Sequence, residues 1–496
     1  MGVTPRDEGE AANIGMIWKN AGWLGVVPIL LNFVALFSTG YITRRVGPGA
    51  FGRFNIAFSY TTITLLVTDL GLRALAVRDL ARGGAGARHQ LHDLVSLRLL
   101  MAFVAMVGAW GIALVLGHGS ELGLVILVCS IGIIPISLTG TLTDGLMAKD
   151  QARGTSSSTF WSGVVLTAAS VVAVSIWPTA VALAASYLIG PIINMTMLAR
   201  RSRAFYGPIR LRWRPRQWRA MVRRAAPFYR ISIVGVAVGR IEIPLIGVFF
   251  GDQMAGFYSA ATSLADRLSA VIDSVTTAAL PTLMRLGGNA RRVTDVLGRI
   301  LHPLLGALLA GCIMAAVGAT AAVTVVFGAK FAPGGPALAV ALFLLPVSAV
   351  NALVFEGFVA IKRVEFVAGT IMRGQIISGV LLPFGLMLFG LPGAPLAKLI
   401  AGLSVVFARI EASRTAFDGL WGPKYLRPLV RRTLWALPVP IILWLGNFRP
   451  LVAVGVSGGL FLCWVAATAH SSGVLQLLRP SQINTATGDS GEPPVS

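Results

Sequence analysis

The stretch "VGPGAFGRFNIAFSY" at 46–60 returns as "FGDQMAGFYSAATSL" at 250–264. At this offset Gly47 meets Gly251, Gly52 meets Gly256, Phe54 meets Tyr258 and Ala57 meets Ala261. Farther along, Asp69 meets Asp273. Each copy lies between two apolar runs, and the hydropathy pattern spaces them six helices apart, so both turns face the same side of a membrane. That is a parallel repeat about an axis along the membrane normal. Short turns need glycine whatever a protein does, so the repeat speaks first to architecture.

Composition agrees. The chain has 496 residues, 55% hydrophobic and 12% charged, with a mean hydropathy of +0.76. Apolar runs of about 20 residues recur along it, each long enough to cross a hydrocarbon core of about 30 Å. The expected fold is an all-α polytopic membrane protein of about fourteen transmembrane helices. It divides into an N-lobe (14–200, helices 1 to 6), a basic cytoplasmic linker (201–225), a C-lobe (226–415, helices 7 to 12) and two further helices in 416–476. The polar ends, 1–13 and 477–496, have no apolar face to bury and are expected to be disordered. The first span, near 21–41, is too long for a signal-peptide core, and Arg6 stands where a myristoylation signal wants Ser or Thr.

The net charge of +22 reads as topology. The arginine cluster at 200–224 falls between two spans, as do Arg78, Arg82 and Arg88, then Arg291 and Arg292, then Arg409 and Arg414, all on one side. The positive-inside rule puts both termini in the cytoplasm of a cell-membrane protein. No soluble module displays a basic face for nucleic acid. Cys129, Cys312 and Cys463 are odd in number and lie in apolar spans, which suits small core residues. "HQLH" at 89–92 lacks further ligands for a metal, and no phosphate-binding glycine loop ending in Gly-Lys-Ser/Thr is present.

The stretches "VGPGAFGRFNIAFSYTTITLLVTDLGLRALAVRDLAR" and "GRIEIPLIGVFFGDQMAGFYSAATSLADRL" resemble the two repeat signatures of the polysaccharide (Wzx-like) flippases, in the superfamily of multidrug and oligosaccharidyl-lipid exporters. The resemblance covers roughly 14–415 and departs in having Gly251-Asp252 for Gly-Pro and Glu242 where an Asp is usual. It implies a MATE-like exporter fold that moves an undecaprenyl-diphosphate-linked oligosaccharide from the inner to the outer leaflet by alternating access.

Charges deep in the spans are the candidate site, because each costs on the order of 2.5–3.5 kcal/mol at mid-membrane and must face protein or water. At 1.5 Å per residue Arg240 lies roughly 16 Å from the turn at Gly251, and Asp266 and Arg267 roughly 20 Å from it. Arg240 and Glu242 are two apart and do not face each other, so Asp266 is the expected partner of Arg240. Arg240, Arg267 and Arg373 are the candidate diphosphate ligands, since a guanidinium fork suits phosphate oxygens. Arg98 and Arg230, near helix ends, are candidates for receiving the headgroup. Asp69 and Arg73 pair by spacing, and with Asp273, Glu242 and Asp266 they are candidates for gating or ion coupling. Pro244 is expected to bend its helix beside Arg240 and Glu242.

Expected partners are the lipid-linked glycan, membrane lipids and a polysaccharide polymerase or glycosyltransferase. No cofactor, metal or enzymatic activity is expected, and a proton or sodium gradient is the candidate driving force. Two other readings stand beside the flippase. A small-molecule cation antiporter would want an acidic lumen, which the deep arginines oppose. A non-transporting membrane scaffold would want a cavity without lining charge.

Overall fold

The protein is described here from a computed structural model, over residues 5–69, 72, 80, 87–115, 120–149, 151–225, 240–286, 289–361 and 364–434. Helices are the only regular structure among them. The chain opens with α1 (Pro5–Asp69), two helical arms joined at Gly47. It continues with α2 (Ala87–Val115), α3 (Ser120–Ile131), α4 (Ile133–Met147), α5 (Ala152–Ile176), α6 (Ala180–Tyr187) and α7 (Ile189–Tyr206). After a helical stretch at 215–225 come α8 (Glu242–Phe250) and α9 (Asp252–Arg285). The rest comprises α10 (Ala290–Val317), α11 (Ala319–Phe327), a 3-10 turn (Ala329–Gly334), α12 (Gly335–Leu342), α13 (Leu344–Ala360), α14 (Val364–Phe389), α15 (Gly393–Ala416) and α16 (Pro423–Leu434).

Eight helical stretches among the described residues are long and apolar enough to cross a membrane. They run from Arg88–Val115 to Gly393–Ala416, and make this a multi-pass membrane protein. The helix expected at 450–470, most of that at 430–446, Cys463 and the C-terminal tail lie outside the described residues, as do Arg73 and Arg230. Cys129 and Cys312 are buried, free thiols, as small core residues should be.

The described residues cluster into two compact units. One gathers those up to Arg267 with Val323–Gly334 and Gln375–Ala394, and the other takes the remainder. The boundary between the units runs through α9, and the second copy of the repeat packs its turn directly on the first.

Within the first unit the two copies have the same local geometry. Gly47 has φ 76° and ψ 172°, and Gly251 has φ 86° and ψ 169°. This is backbone that side-chain-bearing residues rarely adopt, so glycine is what lets each helix pair reverse there. A Cβ on Gly52 would lie 1.7 Å from the Asp252 carbonyl oxygen, and one on Gly256 would lie 2.0 Å from the Pro48 carbonyl oxygen. These are the same contacts with the copies exchanged, which is the mark of a local twofold axis, and they put both turns at one end of the unit. Small residues let helices approach this closely in lipid, where no hydrophobic drive separates helix from tail. Gly40 extends the seam, since a Cβ there would meet the Val326 carbonyl at 2.5 Å.

The second unit is built around Leu297, Leu301, Leu353, Val354, Phe358 and Phe417, where α10, α13 and the end of α15 meet. The ring of Tyr425 on α16 lies against Gly298 and stacks on His302 at 4.9 Å, which pins that basic helix to α10.

Candidate functional site

In "GRIEIPLI" the helical pattern lapses at Ile241, whose backbone keeps helical angles (φ −72°, ψ −19°), and α8 starts at Glu242 with Pro244 in its first turn. A proline ring clashes with the carbonyl four residues before it, here that of Arg240, but is tolerated in a first turn, where its missing N–H is not needed.

Glu242 is buried, and its Oε2 accepts a hydrogen bond of 2.8 Å from the hydroxyl of Tyr258, itself fully buried. Arg240, just before the lapse, is exposed. The expected Arg240–Asp266 ion pair does not form among the described residues, and Asp266 is exposed too.

Arg267 is half-buried and turns to the first copy of the repeat. Its Nη2 donates to Thr39 Oγ1 at 3.0 Å and to the Ala35 carbonyl at 3.4 Å, which offers a charge two neutral oxygens.

Arg98 differs most from expectation. Placed by its sequence near a helix end to receive a headgroup, it is 3% exposed and held between two acids. Its Nη2 lies 2.8 Å from Asp69 Oδ1 and 3.5 Å from Asp144 Oδ2. Asp69 therefore pairs with Arg98 across to α2, while Arg73, its expected partner by spacing, lies outside the described residues. Gly140 on α4 makes room, since a Cβ there would be 3.0 Å from Arg98 Nη1. Sequence reasoning passed over Asp144, although an acid inside the apolar span Glu121–Met147 was itself the signal. Of the two carboxylates beside Arg98, Asp144 is buried and the Asp69 side chain is 47% exposed.

In the second unit Asp273 and Arg373 are both exposed. Arg409, read from the sequence as a loop charge, is instead 3% exposed inside α15. It donates to Thr370 Oγ1 at 3.2 Å and to the Asn351 carbonyl, with no acid partner among the described residues. Arg230 lies outside the described residues; the structure brings together Asp69 and Arg98, and leaves Arg240 and Arg373 exposed.

At the turn end, Arg53 lies between Glu121 at 3.0 Å and Asp252 at 3.6 Å. Asp252 is the residue that departs from the Gly-Pro pattern of the first copy, and here it takes a charge from that copy.

The polysaccharide biosynthesis protein family model matches residues 17–286, more than half of the chain and the whole region of the repeat. The chain belongs to the polysaccharide biosynthesis protein family. No curated protein sequence matches it. Solved structures similar to this chain share its fold at low identity. The lipid II flippase MurJ in an inward closed conformation matches with a TM-score of 0.74 at 13% identity, over 92% of this chain and 99% of that one. An inward-facing multidrug resistance MATE family transporter of the MOP superfamily matches with a TM-score of 0.60 at 14% identity, over 80% of this chain and 98% of that one. The fold is the one these two proteins share, and the repeat with its two glycine turns is the part of it that the sequence displayed.

Proposed function

We propose that this protein is a flippase carrying an undecaprenyl-diphosphate-linked oligosaccharide from the cytoplasmic to the outer leaflet of the cell membrane by alternating access, with both termini in the cytoplasm. The observation that carries the reading is the polysaccharide biosynthesis match over 17–286, on a fold shared with a lipid II flippase. Arg240 supports it. An exposed guanidinium just before α8, without an ion pair among the described residues, is free to take a diphosphate oxygen. Arg267 and Arg373 are the further ligands in this reading, while Arg98 is held by its two acids and serves the gate. In this reading Asp69 and Asp144, the carboxylates beside Arg98, are the groups on which a proton gradient acts. Enzymes that build or polymerise the same lipid-linked glycan are the partners this activity calls for.

The multidrug MATE match favours one second reading, a small-molecule cation antiporter. The two part in one experiment. Lipid-linked oligosaccharide accessible from each leaflet is measured in cells depleted of the protein and lacking a redundant flippase, then in cells restored with wild type or Arg240→Ala. Inner-leaflet accumulation that wild type relieves and a well-expressed Arg240→Ala does not is the expected result. An unchanged leaflet distribution on depletion overturns the flippase reading and leaves the antiporter.

A further inference from the structure

The stretch 200–224, "RRSRAFYGPIRLRWRPRQWRAMVRR", holds ten arginines and no acid. We infer that it is a fixed plate that docks on acidic phospholipid headgroups in the leaflet at its end of the molecule. Three observations carry this, and none depends on what the protein transports.

The plate is held in place. Gly207, with φ 70°, ends α7, and the Arg212 backbone N–H then donates to the buried hydroxyl of Ser96 on α2 at 2.8 Å. Trp218 is buried among Leu91, Leu94, Val95 and Tyr206, and the Tyr206 hydroxyl donates to the Gly145 carbonyl at 2.8 Å. A run of like charges would ordinarily repel itself into an open chain. Here its apolar residues tie it to the ends of α2 and α4.

Its charge is left over. Among the described residues only Arg214 of the ten holds an acid, Asp93 at 4.0 Å. Arg210, Arg216, Arg219 and Arg223 are exposed, with no ion pair among the described residues.

Its place and its aromatic neighbours decide the partner. The plate overlaps the last residues of the apolar stretch Ala180–Tyr206, and the end of a span is where hydrocarbon gives way to headgroups. Trp213 is 74% exposed and Leu211 65% exposed, between Arg210 and Arg214. Trp213 meets Trp218 edge-on at 4.8 Å, so the buried ring orients the exposed one. Exposed tryptophan and leucine interleaved with arginine at the foot of a span suit a bilayer surface, where rings enter the interface and guanidinium groups meet phosphate. A soluble polyanion would meet the arginines but leave Trp213 and Leu211 in water.

The test uses full-length protein taken from membranes of equal phosphatidylglycerol and phosphatidylcholine into native mass spectrometry, counting the lipids retained. Wild type is expected to enrich phosphatidylglycerol on the order of tenfold. The fourfold variant Arg210→Gln, Arg216→Gln, Arg219→Gln, Arg223→Gln should bring the two lipids near parity, and the fourfold lysine variant should keep the enrichment. Millimolar inorganic pyrophosphate should leave it unchanged. Parity in wild type, or full enrichment in the glutamine variant, overturns the proposal. So does loss of enrichment to pyrophosphate, which would mean that the plate reads soluble phosphates. Should the fourfold glutamine variant not fold, Arg216→Gln and Arg219→Gln singly must each lower the enrichment, and failure to do so overturns it equally.

Discussion

Gly52 and Gly256 pack against each other's copy of the repeat with no space for a side chain on either. A Cβ on Gly52 would stand 2.8 Å from the Gly256 nitrogen, and one on Gly256 would stand 3.2 Å from the Gly52 nitrogen. The two glycines that align in the sequence are the two that touch in space.

That contact gives a prediction with a built-in control. Gly→Ala within a helix ordinarily stabilises by about 0.5–1 kcal/mol. Gly49→Ala, where a Cβ would meet nothing within 4 Å, should be neutral or slightly stabilising. Gly52→Ala or Gly256→Ala must push backbone from backbone and should destabilise by about 1–3 kcal/mol. Thermal unfolding of the purified protein in detergent separates them. Equal melting of Gly49→Ala and Gly52→Ala would show that the seam is not tight.

Arg98 lies between Asp69 and Asp144, with Asp144 buried. Removing one partner of a buried pair takes away a charge that stabilises the other, so Arg98→Met should cost about 3–5 kcal/mol. Asp144→Asn added to it should restore a large part of that loss. Unfolding of both single variants and the double variant measures the coupling, and simple additivity would deny the pair.

Tyr258 and Glu242 are buried partners in the second copy, while the first copy has Phe54 and Ser38 at the same offset. Tyr258→Phe takes a hydrogen bond from a buried carboxylate and should cost about 1–3 kcal/mol. Adding Glu242→Ser recreates the first copy's pair and removes the buried charge, so stability should largely return. A double variant less stable than Tyr258→Phe would contradict this.

Arg240 and Arg373 are exposed, and function rather than folding is what they should serve. Arg240→Ala and Arg373→Ala should each shift Tm by less than about 2 °C. A larger fall for either would mean that the side chain holds the fold together and would weaken its assignment to the diphosphate.

Much of the architecture could be read from residues. The turn glycines and the span lengths follow from local rules, because backbone conformation and hydropathy act over a few residues at a time. The site was less legible. Depth along a span predicted that Arg240 would find Asp266, yet both are exposed and no ion pair joins them among the described residues. Spacing paired Asp69 with Arg73, whereas Arg98 reaches Asp69 from another helix. Arg409 was read as a loop charge and is buried beside Thr370 and the Asn351 carbonyl.

By itself, then, the sequence determined that this chain is a helical membrane protein with a parallel repeat turned on Gly47 and Gly251. Those are properties of short stretches and of the energy of backbone in lipid. Only the tertiary structure decided which charges pair, which lie buried and which face outward. A guanidinium spans several ångströms and will take whichever acid or carbonyl the packing brings near, and that choice depends on helix breaks and crossings to which hundreds of residues contribute at once.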